Sequence, residues 1–349
     1  MPATMPAYRL VAWEQAPQLA ETAVPVPAAG QILIRVAACG LCHSDLDMMA
    51  MPAAMGEGLG WSVPFTLGHE SAGWVEAVGP GVFGLDREMA VAVSSPSSCG
   101  ACRWCRSGRD NACPAGLVGR GYGRDGGLAG YLLVDDVRSV LPIGTLDPVL
   151  AAPLTDAGAT SHHAVARVLP RLRPDGVVVV LGVGGLGAFV VQILRARSTA
   201  TVIAIDPDPV RRELALRFGA SHALDGVGQE TSRELRSLLG GDRADAVIDL
   251  VGTDETIACA SSVLAAGGVL GLVGAAGGTL RRPWFSSLPR DGEVFTFQGS
   301  DLADAAAVLA LAGQGAIEVP VVPYALTQVA EAYDALRGGS LTGRIVVVP

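Results

Sequence analysis

The pattern of hydrophobic and polar residues changes part-way along the chain. Up to about residue 156, short apolar runs such as QILIRVAACG (31–40) and YLLVDD (131–136) are separated by Gly and Pro turns, which is typical of strands. From residue 177, each β-branched run is followed by a helical run, as in VVVVLGVGGLGAFVVQILRAR (177–197) and TVIAIDPDPVRRELALRFGA (201–220). This alternation predicts parallel βαβ units. We therefore expect an α/β chain in which a β-rich domain is joined to a doubly wound parallel sheet.

The later segments extend the same pattern. ADAVIDLVG (244–252) and GGVLGLVGAAG (267–277) predict two more buried strands, SDLADAAAVLALAGQG (300–315) predicts a helix, and TGRIVVVP (342–349) predicts a terminal strand. A chain of 349 residues is longer than one hydrophobic core usually serves, so two domains are expected.

Composition and charge narrow the class of protein. The net charge is −9 and no basic block stands out, which argues against a nucleic-acid partner. All 25 basic residues are Arg, so a mechanism that needs a Lys is excluded. No apolar run is long enough to span a bilayer and the first residues do not resemble a signal peptide, so we expect a cytoplasmic enzyme. The odd number of Cys, seven, argues against a disulfide framework.

VVVVLGVGGLG (177–187) contains a G-x-G-x-x-G motif at Gly182, Gly184 and Gly187. The motif follows a predicted strand and opens a predicted helix, which is the context in which it binds a dinucleotide. The first glycine allows a tight turn, the second lets the backbone approach a pyrophosphate, and the third lets the helix pack closely on the strand. An ordinary Gly-rich turn is the alternative.

Asp206, at the end of TVIAID and 19 residues after Gly187, indicates which dinucleotide binds. A carboxylate there can bind both ribose hydroxyls of NAD and would repel the 2′-phosphate of NADP. Arg211 and Arg212 follow closely and could accept a phosphate, although Arg211 could equally cover the adenosine ribose or be a solvated helix charge. Because Asp206 lies at the strand end itself, we predict NAD rather than NADP.

CGACRWCRSGRDNAC (99–113) places Cys99, Cys102, Cys105 and Cys113 at the spacing C-x₂-C-x₂-C-x₇-C. Four thiolates on one short loop can close a tetrahedron round Zn²⁺, and a closed site of this kind is structural. An iron–sulfur cluster uses similar ligands at other spacings, and four unrelated surface cysteines are the remaining alternative.

A second metal site is predicted from two short motifs. CGLCHSD (39–45) supplies Cys42 and TLGHESAG (66–73) supplies His69. A catalytic zinc needs three protein ligands and an open position. Because Cys259 is distant in a predicted helix, Asp156 in APLTDAGATSHHAV (152–165) is the candidate third ligand. The alternative for Asp156 is an aspartate that caps a helix.

These motifs together resemble the zinc-dependent alcohol dehydrogenases of the medium-chain dehydrogenase/reductase superfamily, over essentially the whole chain. The stretch PLTDAGATSHHAV is similar to the bacterial secondary-alcohol dehydrogenases, which use Asp as the third zinc ligand where the horse-liver and yeast types carry Cys. The resemblance implies a GroES-like catalytic domain, residues 1–156 and 297–349 with a structural-zinc lobe at about 95–115, and a Rossmann NAD-binding domain at 157–296. It also implies two zinc ions per chain, one catalytic and one structural.

The resemblance also assigns roles to residues around the catalytic zinc. Ser44 would accept the alcohol proton, and Asp45 would hydrogen-bond His69. Asp47 stands where many relatives have the histidine that ends the proton relay, and it could act as a base or only face solvent. Glu70 would approach the metal during ligand exchange, or would be a buried ion-pair partner. The residues assigned to NAD are His43, Thr160, Gly182, Gly184, Gly185, Leu186, Gly187, Asp206, Arg211, Val251, Val273 and Arg344.

The implied reaction is reversible hydride transfer between an alcohol or ketone and NAD. Ser95 stands where liver-type enzymes carry a bulky aromatic, which favours an apolar secondary alcohol. The Met-rich segment 48–63 is expected to form a pocket wall, with a tetramer contact or plain packing as the alternatives. A diol or polyol dehydrogenase, a primary or benzylic alcohol dehydrogenase, and a non-catalytic cofactor-binding relative are the alternatives. The expected partners are a small-molecule substrate and copies of the chain in a homotetramer, with a homodimer second. No role is evident for His162.

Overall fold

The computed structural model describes residues 2–95, 97–280, 285, 288–339 and 343–349, and the chain divides into two compact units. Unit 1 contains Met1–Ala159 and Gly299–Pro349, and unit 2 contains Thr160–Gln298. Both chain ends therefore belong to one unit, with the other unit inserted between them. No helix among the described residues is long and apolar enough to cross a membrane.

Unit 1 consists mainly of β-strands, with short helices between them. Its strands are β1 (Thr4–Leu10), β2 (Gln18–Ala23), β3 (Ile32–Gly40), β4 (Phe65–Thr66), β5 (Glu70–Val78), β6 (Ala90–Val93), β7 (Gly119–Arg120), β8 (Gly123–Arg124), β9 (Tyr131–Val134), β10 (Val140–Pro142), β17 (Val321–Ala325) and β18 (Arg344–Val348). Its α-helices are α1 (His43–Met49), α2 (Ala53–Gly58), α3 (Arg103–Arg106), α4 (Pro148–Ala151), α10 (Leu302–Gly313) and α11 (Val329–Gly338). Its 3₁₀ helices are Asp110–Ala112, Val137–Ser139, Ala152–Thr155 and Leu326–Gln328.

The main sheet of unit 1 runs β10-β6-β5-β3-β18-β17, with β9 also paired to β3. Smaller sheets are formed by β2-β1-β4 and by β7-β8. Every residue of β3 except Arg35 is buried, as expected of a strand near the middle of a sheet. The terminal strand predicted from the apolar run at the chain end is present as β18, and it lies beside β3. Thr342, which opens the quoted run TGRIVVVP, lies outside the described residues.

The antiparallel pairing of β3 with β5 brings together the segments that carry the predicted metal ligands. Gly40, the last residue of β3, lies opposite Glu70, the first residue of β5. The chain just after β3 therefore meets the chain just before β5. A Cβ on Gly40 would collide with the Glu70 carboxylate, so only a glycine fits at this position.

Unit 2 alternates strands and helices around one sheet. Its elements are β11 (Val177–Leu181), α6 (Gly187–Arg197), β12 (Thr201–Ile205), α7 (Pro209–Arg217), β13 (His222–Leu224), α8 (Gln229–Leu238), β14 (Ala244–Asp249), α9 (Asp254–Val263), β15 (Leu264–Leu272) and β16 (Glu293–Thr296). Helix α5 (Ala157–Val168) begins in unit 1 and ends in unit 2, where the 3₁₀ helix Leu169–Arg171 follows it.

The sheet of unit 2 runs β13-β12-β11-β14-β15-β16, and all of these pairs are parallel. The strand order reverses direction between β11 and β14. In open parallel sheets, ligands bind beyond the carboxyl ends of the strands at such a reversal. The glycine motif that follows β11 is therefore at the expected place for a dinucleotide site.

Cys39, in the core of unit 1, is expected to make the stability of the protein depend on pH. Its side chain is fully buried, and burial raises the pKa of the thiol from 9.0 to about 12. Between these pH values only the unfolded chain ionises at Cys39, so the free energy of unfolding falls as pH rises. By pH 11 this thiol is expected to account for about 2 to 3 kcal/mol of lost stability.

The measurement is urea unfolding of the native chain and of Cys39→Ala at pH 8 and pH 11. The smaller side chain lowers the stability of the variant at both pH values. The quantity compared is therefore the change in the free energy of unfolding between pH 8 and pH 11 within each protein. The variant should lose less stability than the native chain over this interval. The same loss in both proteins would show that Cys39 does not titrate in this range.

Candidate active site and metal centres

The predicted catalytic-zinc ligands meet in unit 1, beside the end of β3, the start of β5 and the 3₁₀ helix Ala152–Thr155. Cys42 is the residue before α1, His69 precedes β5, and Asp156 precedes α5. One sulfur, one nitrogen and two carboxylate oxygens, from Cys42, His69, Asp156 and Glu70, all lie within 4.8 Å of one another. These are the three donor types that zinc takes in proteins, so the residues fit a zinc ion.

His69 is held in one orientation by its neighbours. Its Nδ1 lies 3.1 Å from Asp45 Oδ1, and its Nε2 lies 3.6 Å from Asp156 Oδ2. The other oxygen of Asp45 accepts the Cys42 N–H at 3.0 Å. The structure thus contains the predicted contact between Asp45 and His69. Because Nδ1 faces Asp45, Nε2 is the nitrogen directed at the cluster.

The charges around His69 favour a cation. Burial works to lower the pKa of the imidazole, but its neighbours, among them the carboxylates of Asp45 and Asp156, outweigh it and raise that pKa well above its usual value. A buried imidazole that its neighbours draw toward the protonated form marks a pocket that attracts positive charge. This agrees with the donor set in indicating a metal site.

Glu70 and Arg344 form a buried ion pair beside the cluster. Arg344 Nη2 donates to Glu70 Oε1 at 2.6 Å and to the Leu41 carbonyl at 2.9 Å. Burial raises the pKa of the Glu70 carboxyl to about 7, although the nearby Arg344 charge opposes the rise. The buried ion pair, one of the two roles expected for Glu70 from the sequence, is therefore present. The predicted approach of Glu70 to the metal and of Arg344 to a pyrophosphate stay predictions.

The remaining predicted catalytic residues lie on helix α1, one facing the cluster and one at the surface. Ser44 is half-buried, and its Oγ lies 3.5 Å from His69 Nε2. Asp47 and His43 are exposed on the same helix. The structure brings Ser44 to the cluster but leaves Asp47 at the surface, so the relay role of Asp47 stays a prediction.

Tyr122 also lies at this site, but it is not among the site residues predicted from the sequence. Its ring centroid is 4.5 Å from that of His69, with the planes tilted by 33°. Burial raises the pKa of the phenol, as do the negative groups of Asp156 and Cys42, whereas a hydrogen bond with Ser44 opposes the rise. The one signal in the sequence is an aromatic flanked by glycines, in GRGYGRDGG (119–127).

The Met-rich segment 48–63 lies in and against the hydrophobic core of unit 1. Met48 is buried there, and Met49 and Met51 pack against the same core. Plain packing, rather than a pocket wall, therefore explains these three methionines. Trp61 of the same segment lies 6.1 Å from Tyr122, centroid to centroid, and so connects the segment to the site.

The four lobe cysteines are arranged as a metal site. Cys102 Sγ lies 3.5 Å from Cys105 Sγ and 3.9 Å from Cys113 Sγ, and Cys99 Sγ lies 3.9 Å from Cys105 Sγ. A zinc ion with Zn–S bonds of about 2.3 Å would hold its sulfurs about 3.8 Å apart. The observed spacing therefore fits a tetrahedral zinc site.

The backbone of the lobe supports negative charge on sulfur. N–H groups of Ala101 and Cys102 lower the pKa of the Cys99 thiol to about 6, whereas burial raises that of Cys105 to about 12. The four neighbouring thiols would repel one another if all were ionised. A cation at their centre is what allows all four to bind as thiolates.

The glycine motif of unit 2 lets strand and helix pack closely and leaves space for a ligand beside the loop. Gly182 has φ +85°, and a Cβ there would lie 2.6 Å from the Val251 side chain. A Cβ on Gly187 would collide with the Gly182 carbonyl, so helix and strand could not pack as they do. Gly184, in contrast, faces open space, with the Arg211 guanidinium 3.8 Å away as its nearest neighbour. The loop therefore leaves room for a ligand where the motif predicts a pyrophosphate.

Asp206 braces this loop at the end of β12. Its Oδ2 accepts the Val183 N–H at 2.8 Å, and Arg211 Nη1 lies 3.9 Å from the same oxygen. The structure thus brings Gly182–Gly187, Asp206, Arg211 and Val251 to one place. Val273 follows β15, where its N–H donates to the Asp249 carbonyl, and Thr160 is buried in α5. Contacts of these residues with NAD stay predictions.

Comparison with known proteins agrees with this geometry. Residues 28–145 match the family model "Alcohol dehydrogenase GroES-like domain", and residues 185–314 match the model "Zinc-binding dehydrogenase". The chain is 36% identical to a NAD-dependent alcohol dehydrogenase of Sulfurisphaera tokodaii over 99% of this chain and 100% of that protein. It is 31% identical to a D-arabinose 1-dehydrogenase (NADP(+)) of Saccharolobus solfataricus, over 93% and 92%.

A solved structure shows the same fold. The crystal structure of the alcohol dehydrogenase from Aeropyrum pernix superposes with a TM-score of 0.89 at 31% identity, over 99% of this chain and 100% of that chain. The predicted combination of a GroES-like domain and a Rossmann domain is therefore confirmed. On this evidence the chain belongs to the zinc-binding alcohol dehydrogenases of the medium-chain dehydrogenase/reductase superfamily.

Proposed function

We propose that the protein is a zinc-dependent dehydrogenase that reversibly transfers hydride between an alcohol and NAD, with apolar secondary alcohols and their ketones as substrates. The observation that carries this proposal is the cluster of Cys42, His69 and Asp156, whose sulfur, nitrogen and oxygen lie within 4.8 Å of one another. One thiolate and one carboxylate balance the two charges of Zn²⁺, and three protein ligands leave a fourth position open to substrate. Family membership supports the same conclusion.

The residues around the cluster have distinct tasks in this proposal. A zinc ion bound by Cys42, His69 and Asp156 would supply Lewis-acid chemistry that eases loss of the alcohol proton. Ser44, whose hydroxyl lies beside His69 Nε2, would accept that proton and at the same time pass its own on toward the cofactor ribose. Asp45 keeps the His69 ring in the orientation that presents Nε2.

The proposed metal content is two zinc ions per chain, the second held by the four lobe cysteines. Their closed ligand set leaves no position for substrate, so this zinc would stabilise the lobe rather than take part in the reaction. The homotetramer, with a homodimer second, and the cytoplasmic location expected from the sequence stay predictions.

The substrate class rests on the small side chain of Ser95. Its N–H approaches the carbonyl of Thr155, the residue before Asp156, at 3.4 Å. The small side chain of a serine would leave more room than a bulky aromatic for a second substituent on the carbinol carbon. The aromatic ring of Tyr122 beside His69, with Trp61 next to it, adds apolar surface near the cluster.

A sugar or polyol dehydrogenase is the second candidate, because one relative over nearly the whole chain is a D-arabinose 1-dehydrogenase (NADP(+)). The test is NADH formation by zinc-loaded enzyme with matched secondary, primary, benzylic and vicinal-diol alcohols and with D-arabinose. A preference for the secondary alcohol supports the leading proposal. A preference for the sugar or the diol would keep the chemistry and overturn the substrate class.

Asp206→Gly is expected to shift cofactor preference from NAD toward NADP. Loss of the carboxylate removes its repulsion of the 2′-phosphate and leaves Arg211, 3.9 Å from it in the native chain, to attract that phosphate. The ratio of kcat/KM for NAD to that for NADP should fall about tenfold or more, which corresponds to about 1.4 kcal/mol. The substitution also removes the hydrogen bond from the Val183 N–H to Asp206, which should weaken the binding of NAD and NADP alike. The ratio of the two kcat/KM values is therefore measured, because this common effect cancels in it.

The control for this shift is the double variant with Arg211→Ala. If Arg211 supplies the phosphate contact, the double variant should lose most of the gain for NADP. An unchanged ratio in Asp206→Gly would mean that another residue reads the ribose.

A further inference from the structure

The side chain of Arg138 lies against the four-cysteine lobe, although it is distant from it in sequence. Arg138 belongs to the 3₁₀ helix Val137–Ser139 between β9 and β10. Its Nη2 donates to Asp110 Oδ1 at 2.9 Å, and the same oxygen accepts the Ser98 hydroxyl at 2.7 Å. Asp110 is buried and lies three residues before Cys113. One end of the guanidinium is therefore anchored beside the last cysteine of the lobe.

The other end of the guanidinium lies against Gly100, the residue after Cys99. Nη1 is buried and has no hydrogen-bond partner among the described residues. A Cβ on Gly100, which follows Cys99 directly, would lie 2.5 Å from this atom. Gly100 has φ +68°, so a glycine is needed both for the turn and for the space that Arg138 fills. The guanidinium thus spans the lobe from the Cys99 turn to Asp110.

The charges at this place need a cation besides the metal. Four thiolates around one Zn²⁺ leave two surplus negative charges. The carboxylate of Asp110 adds another beside them, and Asp136 Oδ2 lies 3.9 Å from Arg138 Nη1. Arg138 is the positive group placed among these negative groups, and a guanidinium stays charged at any pH the protein meets.

We propose that Arg138 is a positioning residue that retains zinc in the lobe, by offsetting the surplus negative charge of the four thiolates and of Asp110. The inference rests on the proposed zinc ion at Cys99, Cys102, Cys105 and Cys113. Removal of the guanidinium leaves the thiolates facing an uncompensated carboxylate, so the ligands hold zinc less tightly. Outer partners of metal ligands commonly change metal affinity about ten- to a hundredfold.

The experiment measures zinc release from the full-length protein into a colorimetric chelator at neutral pH. Alkylation of Cys113, read by mass spectrometry, reports loss from the lobe separately from loss at Cys42. The variants are Arg138→Met, Asp110→Asn and the control Arg103→Met, whose arginine is exposed in the same lobe with its guanidinium 4.5 Å from the Trp104 ring. Arg138→Lys keeps the charge, and Arg138→Gln removes the charge with a polar side chain and replaces Arg138→Met if that variant does not fold.

We expect Arg138→Met to release lobe zinc about tenfold or more faster than the native protein, and Arg103→Met to match the native rate. Asp110→Asn removes one negative charge, so it should release zinc no faster than the native protein. Arg138→Lys should stay within about threefold of the native rate.

Three results would overturn the assignment. Equal rates for Arg138→Met and Arg103→Met would show that the charge at residue 138 does not matter. An Asp110→Asn variant as fast as Arg138→Met would show that Arg138 only anchors Asp110. An Arg138→Lys variant that loses zinc as fast as Arg138→Met would exclude the charge as the cause. A native protein that never holds zinc at the lobe would instead contradict the proposed metal content itself.

Discussion

Replacing Asp156 by Ala is expected to abolish alcohol oxidation while NADH still binds. The substitution removes one of three ligands at the Cys42–His69–Asp156 cluster, where His69 Nε2 lies 3.6 Å from the lost oxygen. Lewis-acid activation is worth several kcal/mol, so kcat/KM should fall about a thousandfold or more. NADH should bind unchanged because Gly182–Gly187 and Asp206, which we propose to hold it, belong to unit 2. Steady-state kinetics and NADH fluorescence titration measure the two effects.

Two further variants make this prediction specific. Asp147→Asn changes an exposed aspartate of the same region that caps α4, and Asn can keep the cap, so activity should not change. Asp156→Cys substitutes another zinc ligand and should restore part of the activity. Undiminished turnover in Asp156→Ala would remove this residue from the site.

Replacing Cys102 by Ser is expected to lower the zinc content from two ions per chain to one and to destabilise the protein. Cys102 Sγ lies 3.5 Å and 3.9 Å from two other lobe sulfurs, so its loss opens the tetrahedron. A hydroxyl does not ionise at neutral pH and cannot replace the thiolate. Loss of a structural zinc costs several kcal/mol, which for a unit of this size is a fall of about 10 °C in Tm.

Zinc analysis and thermal unfolding of the variant measure these two effects. The matched control is Cys259→Ala, which removes a buried cysteine from α9 of unit 2. It should reduce stability through lost packing while both zinc ions remain bound. Zinc content that stays at two in Cys102→Ser would contradict the structural-site assignment.

Much of the fold could be predicted because the signals are local. The strand–helix alternation from residue 177 onward, with its glycine turn, predicts the central strands β12, β11, β14 and β15 of unit 2, whereas β13, β16 and α8 were not predicted. The four cysteines of the lobe are also a local pattern, since a short loop is enough to bring their sulfurs within 4.8 Å of one another. The spacing of residues alone does not predict that Asp156 lies with Cys42 and His69. The resemblance to a known family supported that prediction.

The contacts that could not be predicted depend on residues far apart in sequence. Arg344 reaches Glu70 only because β18 and β5 both pair with β3, a register that no short motif encodes. Tyr122 reaches His69 because the glycine at 121 lets its turn lie against the backbone of Gly68. Met48 is in the core because α1 packs that face inward, where composition alone suggested a pocket wall. Tertiary packing, rather than propensity, decides each of these positions.

Anomalous diffraction at the zinc absorption edge, from crystals of the purified protein, tests the central claim most directly. We expect two peaks per chain, one among the four lobe sulfurs and one bounded by Cys42 Sγ, His69 Nε2 and an Asp156 oxygen, with a position left for substrate. A catalytic peak that is missing from zinc-loaded crystals, or one that is ligated without Asp156, would contradict the claim.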